Sequence, residues 1–432
     1  MSDHDSLITL NDVETIVKAE PFDVAWTYKF ILWTIFIVSS LTFIHGISTG
    51  DAKQVWLSFH VNFTFWFAMA AASTIFSAVL HICNAQWARP IRRLFESASM
   101  FLFYSSIALV FLYFGRDYLF IWAVEEVKGR GSWLNPKFVY SRDVIAILIL
   151  FYISGKVVFL SIKKDICAIR GGLTKINNED LDRWFSKSYD YFCPQQVNNP
   201  TDEIEKAHLK IGFLSPIVIA VYSVVMTLIA FDQIMSVEPD WYSTLFGALF
   251  FMSGLYIGTA SCALLINFVR KNHPLFFAKI RKTTLHDLGK ILFGFGIFWA
   301  YMFWSHYLTI WYANMPEETG WVIKRLREQP WHDFAWMIFG LSFVVPFFLG
   351  LSRDVKQVPR LLLFTALIVM SGIWLQQYLL FIPTHFPNEI PLSLTDVTIT
   401  LGFFSAYLLS AISFLGKVPL IPFGDLYIET DH

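Results

Sequence analysis

Between Leu285 and Glu318 an apolar run opens on His286, Asp287 and Lys290 and closes on Glu317 and Glu318. It is long enough to cross a bilayer as a helix. At about 100° per residue, Asp287, Lys290, Gly294, Phe298, Tyr301, Ser305, Thr309 and Tyr312 share a sector roughly 100° wide. Asp287 and Tyr312 stand roughly 37 Å apart along such a helix. Carboxyl, amine, hydroxyl and phenol groups in file are the chemistry of proton transfer. Asp287, Lys290, Tyr301, Ser305, Thr309, Tyr312, Glu317 and Glu318 are therefore candidate proton-path residues. Asp232, near the end of an earlier span, joins them. Polar groups are costly in lipid, so the stripe is expected to face a bundle interior or a cavity. Helix-to-helix glue is the alternative.

A second chemistry sits in the outer half. This span reads Phe303-Trp304-Ser305-His306-Tyr307-Leu308, and a later one reads Trp374-Leu375-Gln376-Gln377-Tyr378-Leu379. A quinone ring needs a flat apolar slot with a donor at each carbonyl oxygen. His306, Tyr307, Gln376, Gln377 and Tyr378 are candidates for that slot, or for hydrogen bonds to one another. Asp287 and Lys290, three residues apart, form either an interfacial ion pair or a proton inlet. Glu238 and Asp240 lie in a short acidic loop, and Ser243 or Thr244 after it is suited to cap the next helix.

The elements that must position these groups are membrane helices. The chain has 432 residues, 55% of them hydrophobic and 16% charged, against about 25% charged in soluble domains. Apolar windows recur at roughly 25–48, 55–83, 97–115, 142–163, 209–235, 242–269, 287–314, 332–352, 358–382 and 395–416. An all-α polytopic membrane protein of about ten transmembrane helices follows. Alternating strands of a barrel are absent from the pattern. The divisions expected are a segment 1–24, a four-helix group 25–163, a polar connection 164–208, a six-helix group 209–416 and a tail 417–432. No cleaved signal peptide is read at the N-terminus.

Lys and Arg cluster on alternate connections: Arg89, Arg92 and Arg93; Lys163 to Lys206; Arg270 to Lys282; Arg353 to Arg360. That side is cytoplasmic by the positive-inside asymmetry, with both termini on it. In the connection 164–208, Trp184, Phe185, Tyr189, Tyr191 and Phe192 form either a docking surface or an interfacial helix. The loop Arg116–Arg142, with Tyr118, Phe120, Trp122 and Trp133, reads as re-entrant or surface-lying. Gly254 and Gly258 form a GxxxG that predicts tight helix packing.

Four scattered cysteines (Cys83, Cys167, Cys193 and Cys262) speak against an iron–sulfur or thiolate zinc site. A haem held by two histidines would have to use His60 and His306, both in the outer half. The net charge of −1 points away from nucleic acid.

Two long stretches, DQIMSVEPDWYSTLFG (232–247) and HDLGKILFGFGIFWAYMFWSHYLTIWYANMPEET (286–319), resemble the second NrfD-like membrane subunit of bacterial alternative complex III. AQWARPIRRLFES (85–97), WLNPKF with Arg142, and PLIPFGDLYIE (419–429) extend the likeness over most of the chain. The resemblance implies two four-helix bundles plus two further helices, in the bacterial inner membrane. It implies a quinol:cytochrome c, or quinol:other-acceptor, oxidoreductase in which this subunit supplies a quinone site or a proton path. Its partners there are a sister NrfD-like subunit, a periplasmic iron–sulfur subunit and multihaem cytochromes c. Haem and iron–sulfur clusters then sit on those partners, quinone is the ligand to expect here, and no cofactor is bound covalently. His306 stands where the family pattern favours Gln. Outside the resemblance, a secondary transporter or a structural anchor would also suit ten helices.

Overall fold

The computed structural model of the chain describes residues 22–125, 127, 129, 131–170, 199–422 and 424. The aromatic residues at 184–192, Cys193, and most of the segments 1–24 and 417–432 lie outside them. The described residues are helical without strands, and ten helices are long and apolar enough to cross a membrane. They are α1 Trp26–Ser48, α2 Ala52–Ile82, α3 Gln86–Leu119, α4 Pro136–Ala168, α5 Pro200–Val237, α6 Phe246–Asn272, α7 Lys282–Ala313, α8 Trp331–Leu351, α9 Pro359–His385 and α10 Leu394–Leu415. The chain is a polytopic α-helical membrane protein. Inner and outer below follow the Lys/Arg asymmetry.

Helices α2, α3, α4 and α5 pack in a ring, and α6, α7, α8 and α9 pack in a second. The α2–α6 contact joins the two bundles, and α1 and α10 pair at the side of α2. This is the expected arrangement of two four-helix bundles plus two helices. The bundles do not follow the division at 164–208, because α5, which lies after it, closes the first bundle. That connection is also shorter than expected, since α4 continues past Lys164 and α5 begins at Pro200.

The GxxxG does what its spacing predicts. A Cβ on Gly258 would stand 2.8 Å from the Ser73 backbone nitrogen, so only glycine lets α6 lie this close to α2. Prolines inside spans leave carbonyls without their helical donor, and at two of them a side chain supplies it. Pro346 frees the Ser342 carbonyl, which the Tyr256 hydroxyl bonds at 3.0 Å. Pro383 frees that of Leu379, which Arg325 Nε bonds at 3.2 Å.

Three local expectations are corrected. Ser243 and Thr244 do not cap α6; the helix starts after Leu245 without a side-chain cap, and the Ser243 N–H donates to Met235 Sδ at 3.4 Å. The loop Arg116–Arg142 is surface-lying only in part: Phe120 and Trp122 are buried in the fold, while Tyr118 and Trp133 are exposed. The stripe on α7 faces out of the chain: Tyr301 is 61% and Tyr312 84% exposed, while Leu288, Leu292, Trp299, His306 and Ile310 form the buried face.

Candidate functional site

Between α4 and the outer end of α5 lies a buried polar cluster. Residues Ala230–Ile234 wind as a π-helix, a departure frequent at functional sites, as do Gly340–Val344 of α8. The wider turn brings two consecutive polar side chains, Asp232 and Gln233, against α4. Arg142 clasps Asp232 with both ends of its guanidinium, Nε to Oδ2 at 2.6 Å and Nη2 to Oδ1 at 2.5 Å. The same guanidinium lies 3.8 Å over the Trp133 ring and donates to the Trp133 carbonyl at 3.0 Å, which ties the outer loop to the site. One residue on, Gln233 Nε2 donates to Asp143 Oδ2 at 2.7 Å. Asp143 is fully buried, and its Oδ1 finds no hydrogen-bond partner among the described residues.

The cluster continues into the centre of the molecule. Gln233 and His385 both approach His60 of α2, which is fully buried. The His60 ring packs on Phe381 at 4.3 Å and Phe120 at 5.4 Å, and neither ring nitrogen makes a hydrogen bond among the described residues. Trp374, Phe381 and His385 recur at helical spacing on α9, so one face of α9 meets the polar face of α2. Trp374 Nε1 donates to Asn62 Oδ1 at 3.1 Å on that face.

Beyond His385 the path reaches the outer surface. Glu238 accepts from the Thr384 hydroxyl at 2.6 Å, from Arg325 at 3.1 Å and from Lys324 at 3.4 Å. Burial works to raise the Glu238 carboxyl, but Arg325, Thr384 and Lys324 together hold it below the ordinary glutamate range. Burial pulls the Arg325 guanidinium down to about 10, which leaves it cationic at neutral pH.

The arrangement has one guanidinium, Arg142, for two neighbouring carboxyl groups, Asp143 and Asp232. A buried carboxyl without its own counter-charge, beside an amide that in turn approaches an imidazole, is equipped to take and release a proton. The inner half contains a contrasting cluster. Arg93 bonds both Glu96 and Asp165, Ser77 and Ser161 each donate to Glu96 at 3.1 Å, and the Gly424 N–H donates to Asp165 at 2.9 Å. Arg92 lies 3.7 Å from Glu96, so here charge is matched.

Helix α2 runs between the two clusters. Its buried Ser58, His60, Asn62 and Thr64 lie in the outer half and Ser73, Thr74 and Ser77 in the inner half. Across the apolar interval stand Trp66 and the Tyr407 ring of α10, 5.6 Å apart, with Tyr407 reaching toward Ser73.

The sequence candidates divide. Asp232 is in the cluster. Gln376 is structural glue, its Oε1 accepting from Trp299 Nε1 at 3.2 Å, which makes α7 and α9 neighbours as expected. Gln377 Oε1 and the Tyr378 hydroxyl are buried without partners among the described residues; the Tyr378 ring packs on Trp331, Phe334 and Trp374. His306 sits elsewhere, edge-on to Trp241 and Trp321, with Phe246 at 6.1 Å. No hydrogen bond or ring contact joins His306 or the half-buried Tyr307 to Gln377 or Tyr378. His60 and His306, the imagined haem pair, occupy different aromatic surroundings.

On α7, Asp287 and Lys290 pair at 2.8 Å on the outward face, which further along carries half-buried Ser305 and exposed Thr309. Glu317 and Glu318 are not part of α7, which ends at left-handed Asn314. They open the next helix, Pro316–Leu326, where acidic groups complement the helix dipole.

Asp143 and His385 were missed by sequence reasoning. Their signals were an Arg-Asp pair set inside the apolar end of α4, and a histidine one helical period beyond Phe381. Protein-family models and curated proteins give no match to the chain.

Proposed function

We propose that the chain is the membrane subunit of a bacterial quinol:cytochrome c, or quinol:other-acceptor, oxidoreductase, and that its own work is proton transfer. The resemblance at 232–247 and 286–319 supports the assembly: the second NrfD-like subunit of alternative complex III, beside a sister subunit, an iron–sulfur subunit and multihaem cytochromes c. The Lys/Arg asymmetry supports an inner-membrane orientation with both termini cytoplasmic. The proton reading is carried by one observation, the buried Asp143–Gln233–His60 cluster with a carboxyl in excess of its counter-charge. Glu238, Thr384 and His385 give it a way to outer water, and α2 a way inward. The outward stripe of α7 does not serve as an interior path; Asp287, Lys290, Tyr301, Ser305, Thr309 and Tyr312 face lipid or a partner.

The test is the intact complex in vesicles, with proton movement measured per quinol oxidised. Asp143→Asn keeps the shape and the Gln233 contact but removes the exchangeable charge. Proton movement is expected to fall by roughly tenfold or more while the complex assembles. Unchanged proton yield in Asp143→Asn and His60→Leu would remove the proton reading.

A second reading, a quinone site, is supported by Gln377 and Tyr378. Both are buried with an uncommitted polar end: the Tyr378 hydroxyl would donate to a quinone oxygen, and Gln377 Oε1 would accept from a quinol hydroxyl. It requires Gln377→Leu to weaken a quinone analogue and His306→Leu to leave it unchanged.

A further inference from the structure

A cleft of about 1220 Å³ opens on the lipid side between α1, α3 and α10. Its walls are aromatic: Trp33 and Phe36 of α1, Phe101 and Tyr104 of α3, Phe403 of α10, with Phe59 of α2 at the base. It exists because α1 leans on α10 and not on α3 along most of its length. At Gly402 a Cβ would fall 2.0 Å from Ser39 Oγ, so the absent side chain seats α1 on α10 and leaves α3 standing apart.

The two ends of the cleft differ. At the outer end Phe43, Phe59 and Phe111 meet at ring distances of 5.3 to 5.5 Å and close it. At the inner end the lining is Asp23, Lys29 and Lys417, two cations to one carboxylate. Asp23 pairs with Lys29 at 2.6 Å, and Lys417 is exposed just past the end of α10. From Lys29 to Ile44 the lining of α1 runs roughly 22 Å, more than half of a hydrocarbon core about 30 Å thick.

From this geometry we infer that the cleft binds an anionic glycerophospholipid of the inner leaflet. Its phosphate meets Lys29 and Lys417, and its acyl chains lie against the aromatic walls and end under the Phe43–Phe59–Phe111 contact. Basic pockets between helices on the cytoplasmic side recognise lipid head groups in this way. A partner's transmembrane helix needs a groove open through the whole membrane, and the outer aromatic contact blocks one. A quinone head carries no charge for the two lysines. The inference stands apart from the proton reading, since it uses none of the residues of that cluster.

The test uses the full chain, purified within its membrane complex and exchanged into nanodiscs of phosphatidylglycerol or phosphatidylcholine, with retained lipid measured by native mass spectrometry. The unmutated protein is expected to retain phosphatidylglycerol in preference to phosphatidylcholine. Lys29→Gln with Lys417→Gln, both at the surface, is expected to lower that preference by about tenfold. Ala406→Phe, which fills the cleft, is expected to release both lipids. A photoreactive residue in place of Ile107 is expected to gain the mass of a phospholipid. Equal retention of the two lipids by the unmutated protein, an unchanged preference in the double lysine variant, or a polypeptide adduct at position 107 would each overturn the inference. Should Ala406→Phe fail to fold, the lysine variant and the adduct decide.

Discussion

Helices α2 and α7 are 31 and 32 residues long and both carry polar groups from end to end. Yet the most apolar stretch of α2 is 94% buried and that of α7 only 39%. In α2 the buried polar groups are Ser, Thr, Asn and His60, and they point in many directions, so neighbours must enclose the helix on all sides. In α7 the polar groups are ranked on one face and the bulky apolar ones, Leu288, Leu292, Trp299 and Ile310, on the other. The bulky face makes the core. One-sided polarity in a membrane helix thus marks an edge of this chain, and dispersed small polarity marks its centre.

The two charge clusters along α2 sharpen the contrast. In the inner one charge is matched and every carboxylate oxygen is hydrogen-bonded; in the outer one Asp143 Oδ1 is not. Arg93→Leu should therefore have the largest effect on stability. It leaves Glu96 and Asp165 buried without their main partner, a loss of about 3–5 kcal/mol, read as loss of folded protein in thermal unfolding in detergent. Asp143→Asn, decisive for proton movement, should change unfolding far less, and the two variants together separate structural from functional charge.

An intermediate effect is expected from pH at the outer surface. The Glu238 carboxyl is held below its ordinary value of 4.5, so the contact with Arg325 is at full strength above that pH and is lost as the pH falls through the lowered value. The outer helix should then become more accessible to proteolysis or hydrogen exchange in acid, and Glu238→Gln should abolish that pH dependence. The smallest effect belongs to the stripe. Asp287→Ala with Thr309→Ala should alter the stability of the chain by a few tenths of a kcal/mol, because the Asp287–Lys290 pair is exposed. A loss comparable to that of Arg93→Leu would mean that α7 faces inward after all.

The ten spans were legible because length and hydropathy decide them, and the Gly254–Gly258 contact because glycine spacing has one use in such helices. The partners of Asp232 were not legible. Arg142 lies ninety residues away and meets it only because the π-turn re-aims α5. Spacing at about 100° per residue assumes an α-helix, and it fails where the helix widens. The same projection defined the α7 stripe correctly but could not say which side of it faced in, since that depends on what α6, α8 and α9 bring to the other face. Gln376 and Gln377 show the limit most sharply: adjacent and chemically alike, one is bonded to Trp299 and the other is left uncommitted.

Pro383 leaves α9 incomplete on its own, because the donor for the Leu379 carbonyl belongs to Arg325, in a helix outside the membrane-spanning set. During synthesis α9 is made after the Pro316–Leu326 helix, so the last turn of α9 matures only when that earlier segment folds back over it. The arginine works as a splint on the end of α9. A chain whose outer helix has not docked leaves the Leu379 carbonyl without its donor and Glu238 without Arg325 and Lys324 at the same moment.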